Sequence, residues 1–123
     1  MSIVISPTTG LTGLPVPLSV AEGGTGLTTG GFGVGQTWQN VAGSRAIGTT
    51  YTNATGKPIA ISISARTSAG ADFWLFVNGT EIAITTLTAA TIDGVHSTIV
   101  PSGSTYKVTL AGSTTIRFWW ELR

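Results

Sequence analysis

The stretch Asp93-Gly94-Val95-His96-Ser97 holds the only histidine of the chain beside a serine and an aspartate. Nucleophilic catalysis needs such groups aimed at one another, whereas neighbouring residues of a strand point to opposite faces. Asp93-Gly94 reads as a turn leading into a strand, on which His96 and Ser97 diverge. One His and one Asp are too few to ligate a metal. The five carboxylates are Glu22, Asp72, Glu81, Asp93 and Glu121. Glycoside hydrolysis wants two of them about 5–10 Å apart across a cleft, and their scatter along the chain shows no such pairing. The one Gly-Lys pair, Gly56-Lys57, is followed by Pro58 and makes no phosphate loop. Gly31-Phe32-Gly33-Val34-Gly35 lacks the preceding buried strand and following helix of a dinucleotide site. These residues predict a protein without catalysis, metal or cofactor. Asn53-Ala54-Thr55 and Asn78-Gly79-Thr80 match the glycosylation pattern, but the second is better explained as a turn.

Composition narrows the partners. The chain has 123 residues, no Cys, a formal net charge of +1 and 9% charged residues, against about 25% in an ordinary soluble protein. No disulfide or thiolate site is available. So weak a field attracts neither nucleic acid nor an anionic membrane. No apolar run reaches the roughly 18 residues of a membrane helix, so no membrane insertion is expected. Residues 1–10 carry no basic region, so no conventional cleaved leader is expected.

Two regions follow different rules. Residues 1–35 hold Pro7, Pro15, Pro17 and most of the glycine runs. Ile3, Val4 and Ile5 do not alternate, whereas Val16, Leu18 and Val20 alternate with Pro17 and Ser19. This region is too apolar for a flexible linker and is read as an extended stem that contacts copies of itself through Leu14, Val16, Leu18 and Val20. Residues 36–123 read as strands and turns. Ile59, Ile61, Ile63 and Ala65 face one way and Ala60, Ser62, Ser64 and Arg66 the other. Tyr106, Val108 and Leu110 alternate with Lys107 and Thr109. Turn residues sit at 53–58, 100–103 and 111–113. The run from Ile82 to Asp93 is Thr-rich and uncapped, which disfavours helix. Regular short strands of this kind predict an antiparallel β-sandwich, jelly-roll-like, for 36–123.

Asn78-Gly79 is the preferred two-residue hairpin turn. Continued without interruption, its register pairs Val77 with Thr80, Leu75 with Ile82 and Phe73 with Ile84 on a core face. Trp74 and Phe76 then point away. In the last strand, Ile116, Phe118, Trp120 and Leu122 make one apolar face, with Arg117, Trp119, Glu121 and Arg123 opposite. Aromatics on both faces mean both faces are covered. A second sheet or loop, a neighbouring subunit and a ligand all fit as the cover over Trp74, Phe76 and Trp119.

The order of several segments resembles bacteriophage tail fibre proteins. Val20-Ala21-Glu22-Gly23-Gly24-Thr25-Gly26-Leu27-Thr28-Thr29 is similar to a segment that recurs there. Gly33-Val34-Gly35-Gln36-Thr37-Trp38-Gln39-Asn40-Val41, Ser44 to Asn53 and Thr55-Gly56-Lys57-Pro58-Ile59 resemble the opening of the distal domain, and Trp120-Glu121-Leu122-Arg123 its end. The resemblance is fairly specific from Glu22 to Ile59 and loose from Arg66 to Ser97. It implies an intertwined homotrimer at a fibre tip, attached to the rest of the fibre or tail. Such a tip sits on the virion and meets a glycan or other receptor of the host surface outside the cell. Receptor residues belong in loops, which selects Arg66, Thr67, Ser68 and Asp72, then Asp93 and His96, with Trp74 and Trp119 as stacking surfaces. Phe76 joins the subunit interface. The alternative is a trimerisation and capping knob without a ligand.

Overall fold

A computed structural model describes residues 31–67, 70–88 and 93–123, with Thr67 by backbone alone, and the backbone of 4–6 and 10–12. The chain divides into two compact units, Met1–Val34 and Gly35–Arg123. In the first, β1 (Val4–Ser6) and β2 (Gly10–Thr12) pair antiparallel, with Ile5 opposite Leu11. Leu14, Val16, Leu18 and Val20, the expected stem seam, lie outside the described residues, as does Ser68.

The second unit is all-β among the described residues, apart from one 3-10 turn at Ala42–Ser44. Its strands are β3 (Trp38–Asn40), β4 (Tyr51–Thr52), β5 (Ile59–Thr67), β6 (Ala71–Val77), β7 (Thr80–Leu87), β8 (Asp93–Val100), β9 (Thr105–Leu110) and β10 (Thr114–Leu122). They form two four-stranded antiparallel sheets, in the orders β3-β10-β5-β8 and β4-β9-β6-β7. One core joins the sheets, an arrangement compatible with a β-sandwich. Ile59, Ile61, Ile63 and Ala65 of β5 meet Phe73 and Leu75 of β6 and Tyr106 and Val108 of β9 there. The alternation of β5 carries through unchanged because β5 is flanked by β10 and β8 and packs one whole face inward.

The β6–β7 turn has Asn78 at φ 50° and Gly79 at φ 75°, the positive pair that matches strand twist in a two-residue hairpin. Val77 pairs with Thr80 as expected. Beyond that the register departs from expectation. Ile82 is an extra residue in a β-bulge, so Leu75 pairs with Ala83 and Phe73 with Thr85. The bulge sends Ile82 and Ile84, expected in the core, to an exposed position. A bulge adds one residue to one strand and resets every later side chain.

A second bulge, at Arg117, inverts the last strand. Ile116 pairs with Ala65 but Phe118 with Ser64. Trp119 and Glu121 therefore turn inward and are fully buried, while Phe118 and Trp120 are exposed. This corrects the expected facing of β10 and removes Trp119 from any exposed platform. The reason is a polar cluster that alternation cannot reveal. Glu121 accepts a bidentate pair from Arg45, at 3.0 Å from Nε and 3.0 Å from Nη2. It also accepts from Tyr106 Oη at 2.6 Å, Trp119 Nε1 at 3.1 Å and Arg123 Nη1 at 2.8 Å. A buried carboxylate is tolerated only when donors saturate it in this way. Burial and the Glu121 bond push the Tyr106 hydroxyl up to about 12. Below about pH 10, the ordinary tyrosine value, its contribution to stability is complete, and it is lost as pH rises from there through about 12. In a Tyr51→Phe variant, which leaves Tyr106 as the only tyrosine, the phenolate absorbance should still be mostly absent at about pH 11. Half-titration near pH 10 would contradict the buried bond.

Candidate functional site

The outer face of the β3-β10-β5-β8 sheet follows from its registers. One row runs Asn40, Trp120, Ser62, Ser97 across the four strands, and the next runs Trp38, Leu122, Ala60, Ile99. A third places Phe118, Ser64 and Val95 side by side. The outward side chains of β5 are thus small, and bulky ones rise on either side. The result is a trough along β5. Its first part holds about 380 Å3 between Trp38, Ser62 and Trp120. A continuation of about 410 Å3 runs past Ala60, Ser97 and Ile99. Trp38 is 52% and Trp120 38% exposed, high values for the two largest side chains on the face. Ser97 Oγ lies 3.1 Å from Ser62 Oγ, in a hydrogen bond on the trough floor.

At one end of this face, Arg66 Nε and Nη2 donate to the Asp93 carboxylate at 2.7 and 3.1 Å, and Arg117 lies 3.7 Å from it. The Arg66 bond, aided by Arg117, holds the Asp93 carboxyl below its ordinary range, and the same bond raises the Arg66 guanidinium. Two guanidiniums share one carboxylate, and neither they nor Asp93 line the trough. The exposed face offers no charged side chain inside the trough among the described residues.

Comparison with protein-family models, curated proteins and solved structures finds no match. The site must therefore be read from its own geometry.

Of the residues selected from sequence whose side chains are described, the structure brings Arg66 and Asp93 together. Asp93 and Gly94 open strand β8 instead of forming a turn. A Cβ at Gly94 would sit 3.2 Å from Phe73 Cδ1, so glycine here permits close sheet packing. His96 is buried, with Nε2 3.0 Å from the Phe73 carbonyl oxygen and its ring against that of Phe73. This corrects its placement in an exposed loop. Trp119, fully buried beside Glu121, is corrected likewise. Asp72 and Trp74 lie on the outer face of the other sheet, where Asp72 accepts from Thr86 Oγ1 at 2.6 Å and Trp74 is half-buried beside Ile84 and Thr109. They cannot converge with Arg66 and Asp93, which face outward from the first sheet. The Thr67 backbone pairs with Thr114 at the end of β5; its side chain and all of Ser68 lie outside the described residues. Phe76 is half-buried under Lys107, whose Nζ lies 5.0 Å from its ring centre.

Sequence reasoning missed Trp38, Trp120, Ser62 and Ser97 as a group. The signal present was the run of small outward residues Ala60, Ser62 and Ser64, which leaves a depression wherever flanking strands carry large side chains. The Arg117 bulge hid the flank that mattered. Asn53 of the Asn-Ala-Thr triplet is buried, and its amide Nδ2 donates to the Lys57, Val100 and Pro101 carbonyls. The folded head leaves that nitrogen no freedom to carry a glycan.

Proposed function

We propose that the chain is the receptor-binding tip of a bacteriophage tail fibre, a non-enzymatic module that attaches the virion to a glycan on the host surface. The observation that carries this reading is the trough of the first sheet, where two exposed tryptophans stand beside serine hydroxyls and no charged side chain lines the space. Concave, aromatic-lined sites with a few polar groups are the usual form of a small-ligand site. The segments from Glu22 to Ile59 that resemble tail fibre proteins supply the biological setting. Three copies turn weak single-site binding into useful avidity. Three of the four carboxylates among the described residues are already engaged, Glu81 being the exposed exception. Glu121 is sealed and saturated, Asp93 is paired with arginine, and Asp72 is held by Thr86.

One observation favours a second reading, a trimerisation and capping knob without a ligand. Ile82 and Ile84 are exposed on the outer face of the second sheet, and a neighbouring subunit would cover them. The two readings separate on living cells. Fluorescently labelled protein, with its mass fixed by light scattering, should be three chains and should stain some strains of a bacterial panel and not others. A trimer that stains none would leave the capping knob; a monomer would remove both.

A further inference from the structure

We propose that the trough between Trp38 and Trp120 is a subsite for an uncharged saccharide, whose ring stacks on indole while Ser62 and Asn40 bind its hydroxyls. This rests on the receptor-binding reading above and assigns it a place and a ligand charge.

Three observations support it. The first is the arrangement of polarity. A protein partner is usually met by an apolar centre with a polar rim. Here polarity reaches the centre: Ser62 lies between the β10 side chains Trp120 and Phe118 on one side and β8 on the other, where Ser97 sits between Val95 and Ile99 and bonds Ser62. Serine is depleted at the centres of protein interfaces, so a second copy of this chain fits the trough poorly.

The second is the set of free donors. The Ser62–Ser97 bond uses one hydroxyl proton of the two, leaving the other for an outside acceptor. Asn40 Oδ1 accepts from the Ala42 amide at 3.1 Å, which fixes the side-chain amide. Its Nδ2 has no partner among the described residues, nor do the indole nitrogens of Trp38 and Trp120. Asn40 and Ser62 pair with Trp120 from opposite sides, so they stand roughly two strand spacings, ~10 Å, apart with the indole between them. A flat ring with hydroxyls at its rim and C–H groups on its face matches that layout. Tryptophan supplies the apolar body, and the flanking donors set the orientation.

The third is charge. The nearby cations Arg66 and Arg117 are engaged with Asp93 at the far end of the sheet. An anionic saccharide seated between Trp38 and Trp120 would lose hydration without gaining a counter-charge. The trough therefore selects neutral sugars over uronates, sialylated chains and phosphorylated polymers.

The test titrates the purified head-bearing chain with a panel of neutral oligosaccharides and their anionic counterparts, followed by tryptophan fluorescence and calorimetry. A neutral member should bind, with affinity unchanged from tens to hundreds of millimolar salt, because no ion pair is available to be screened. Trp120→Ala should weaken binding at least about tenfold, or ~1.4 kcal/mol. Ser62→Leu fills the trough floor from an outward position and should abolish binding while circular dichroism and melting temperature stay put, which separates loss of site from loss of fold. Failure of every neutral saccharide, a salt-sensitive anionic ligand as the best binder, or full binding by Ser62→Leu would each overturn the proposal. So would a change of mass in Ser62→Leu, since the face would then be a subunit contact. If labelled protein stains bacteria yet the saccharide test fails, the receptor role stands and this subsite falls. If neutral sugars bind but no cell is stained, the reverse holds.

Discussion

Glu121→Leu should cost the head about 3–5 kcal/mol, the range for removing one partner of a buried ion pair. Five donor contacts converge on this carboxylate, from Arg45, Tyr106, Trp119 and Arg123. Leucine fits the volume but accepts nothing, so the Tyr106 hydroxyl and the Trp119 indole N–H would lose their acceptor inside the core. The Arg45 guanidinium, whose side chain is only 13% exposed, would lose its counter-charge. A typical domain has about 5–15 kcal/mol of stability in all, so this variant should lie near the edge of folding. Thermal melting should show a drop of more than about 10 °C. Adding Arg45→Met should return part of the loss, because the stranded charge goes with it. A double mutant as unstable as the sum of its parts would show that the ion pair is not the unit of interaction.

The same cluster sets an acid limit. Burial pushes the Glu121 carboxyl up, but the Arg45 bond, the Tyr106 hydroxyl and the charges of Arg45 and Arg123 outweigh it and hold it below the ordinary carboxylate range. A carboxyl depressed in the folded state stabilises fully above its unfolded value, about 4.3 for Glu. That contribution is lost as pH falls through the folded value. Denaturant midpoints measured across acid pH should therefore fall less steeply in Glu121→Gln than in the unaltered protein.

Asn53→Asp changes one side-chain nitrogen to oxygen and should still cost about 3 kcal/mol or more. Asn53 Nδ2 points at three carbonyl oxygens, of Lys57, Val100 and Pro101, at 2.7, 3.0 and 3.1 Å. Its Oδ1 accepts from Thr55 N and Oγ1. Aspartate would aim an acceptor at three acceptors in a buried site, leaving unmet bonds and an unpaired charge. The folded variant should hold its proton more tightly than free aspartate, since only the protonated form has a donor for those carbonyls. Its raised value means stability is greatest in acid and is lost as pH rises. Equilibrium unfolding of Asn53→Asp should show that slope, absent from Asn53→Ala. Equal slopes would mean that the amide does not hold this end of the head.

The parts of this fold that could be read from sequence are those set by neighbours in the chain. The β5 alternation is local, and so is the Asn78-Gly79 turn, where two residues tolerant of positive φ decide the geometry. What escaped were two single-residue bulges. In β10 alternation points the wrong way: Ile116, Phe118, Trp120 and Leu122 share one parity, and only the bulge at Arg117 puts Trp119 and Glu121 on the same inner face as Ile116. The choice falls to Glu121, whose principal partner Arg45 is 76 positions away. In β7 the isoleucines of Glu81-Ile82-Ala83-Ile84 likewise point to the wrong inner face, and the bulge puts the smaller Ala83 opposite Leu75. The candidate site inherits this difficulty. Trp38 and Trp120 come together only because β3 pairs with the far end of the chain. The loops favoured from sequence instead yielded a buried histidine and a charge pair already satisfied within one sheet.

The position of β10 has a consequence for the birth of the molecule. This strand lies between β3 and β5, and its Leu122 pairs with Trp38 at one side and Ala60 at the other. On the ribosome β5 and β8 can pair early, but β3 cannot join them until β10, made after all three, arrives to sit between. Contacts so remote along a polypeptide are slow to form, and until they do one edge of β5 stays unpaired and the core lacks Trp119. A nascent chain stalled before Arg117 should therefore be digested readily by protease, and one extended far enough to free Leu122 from the exit tunnel should resist.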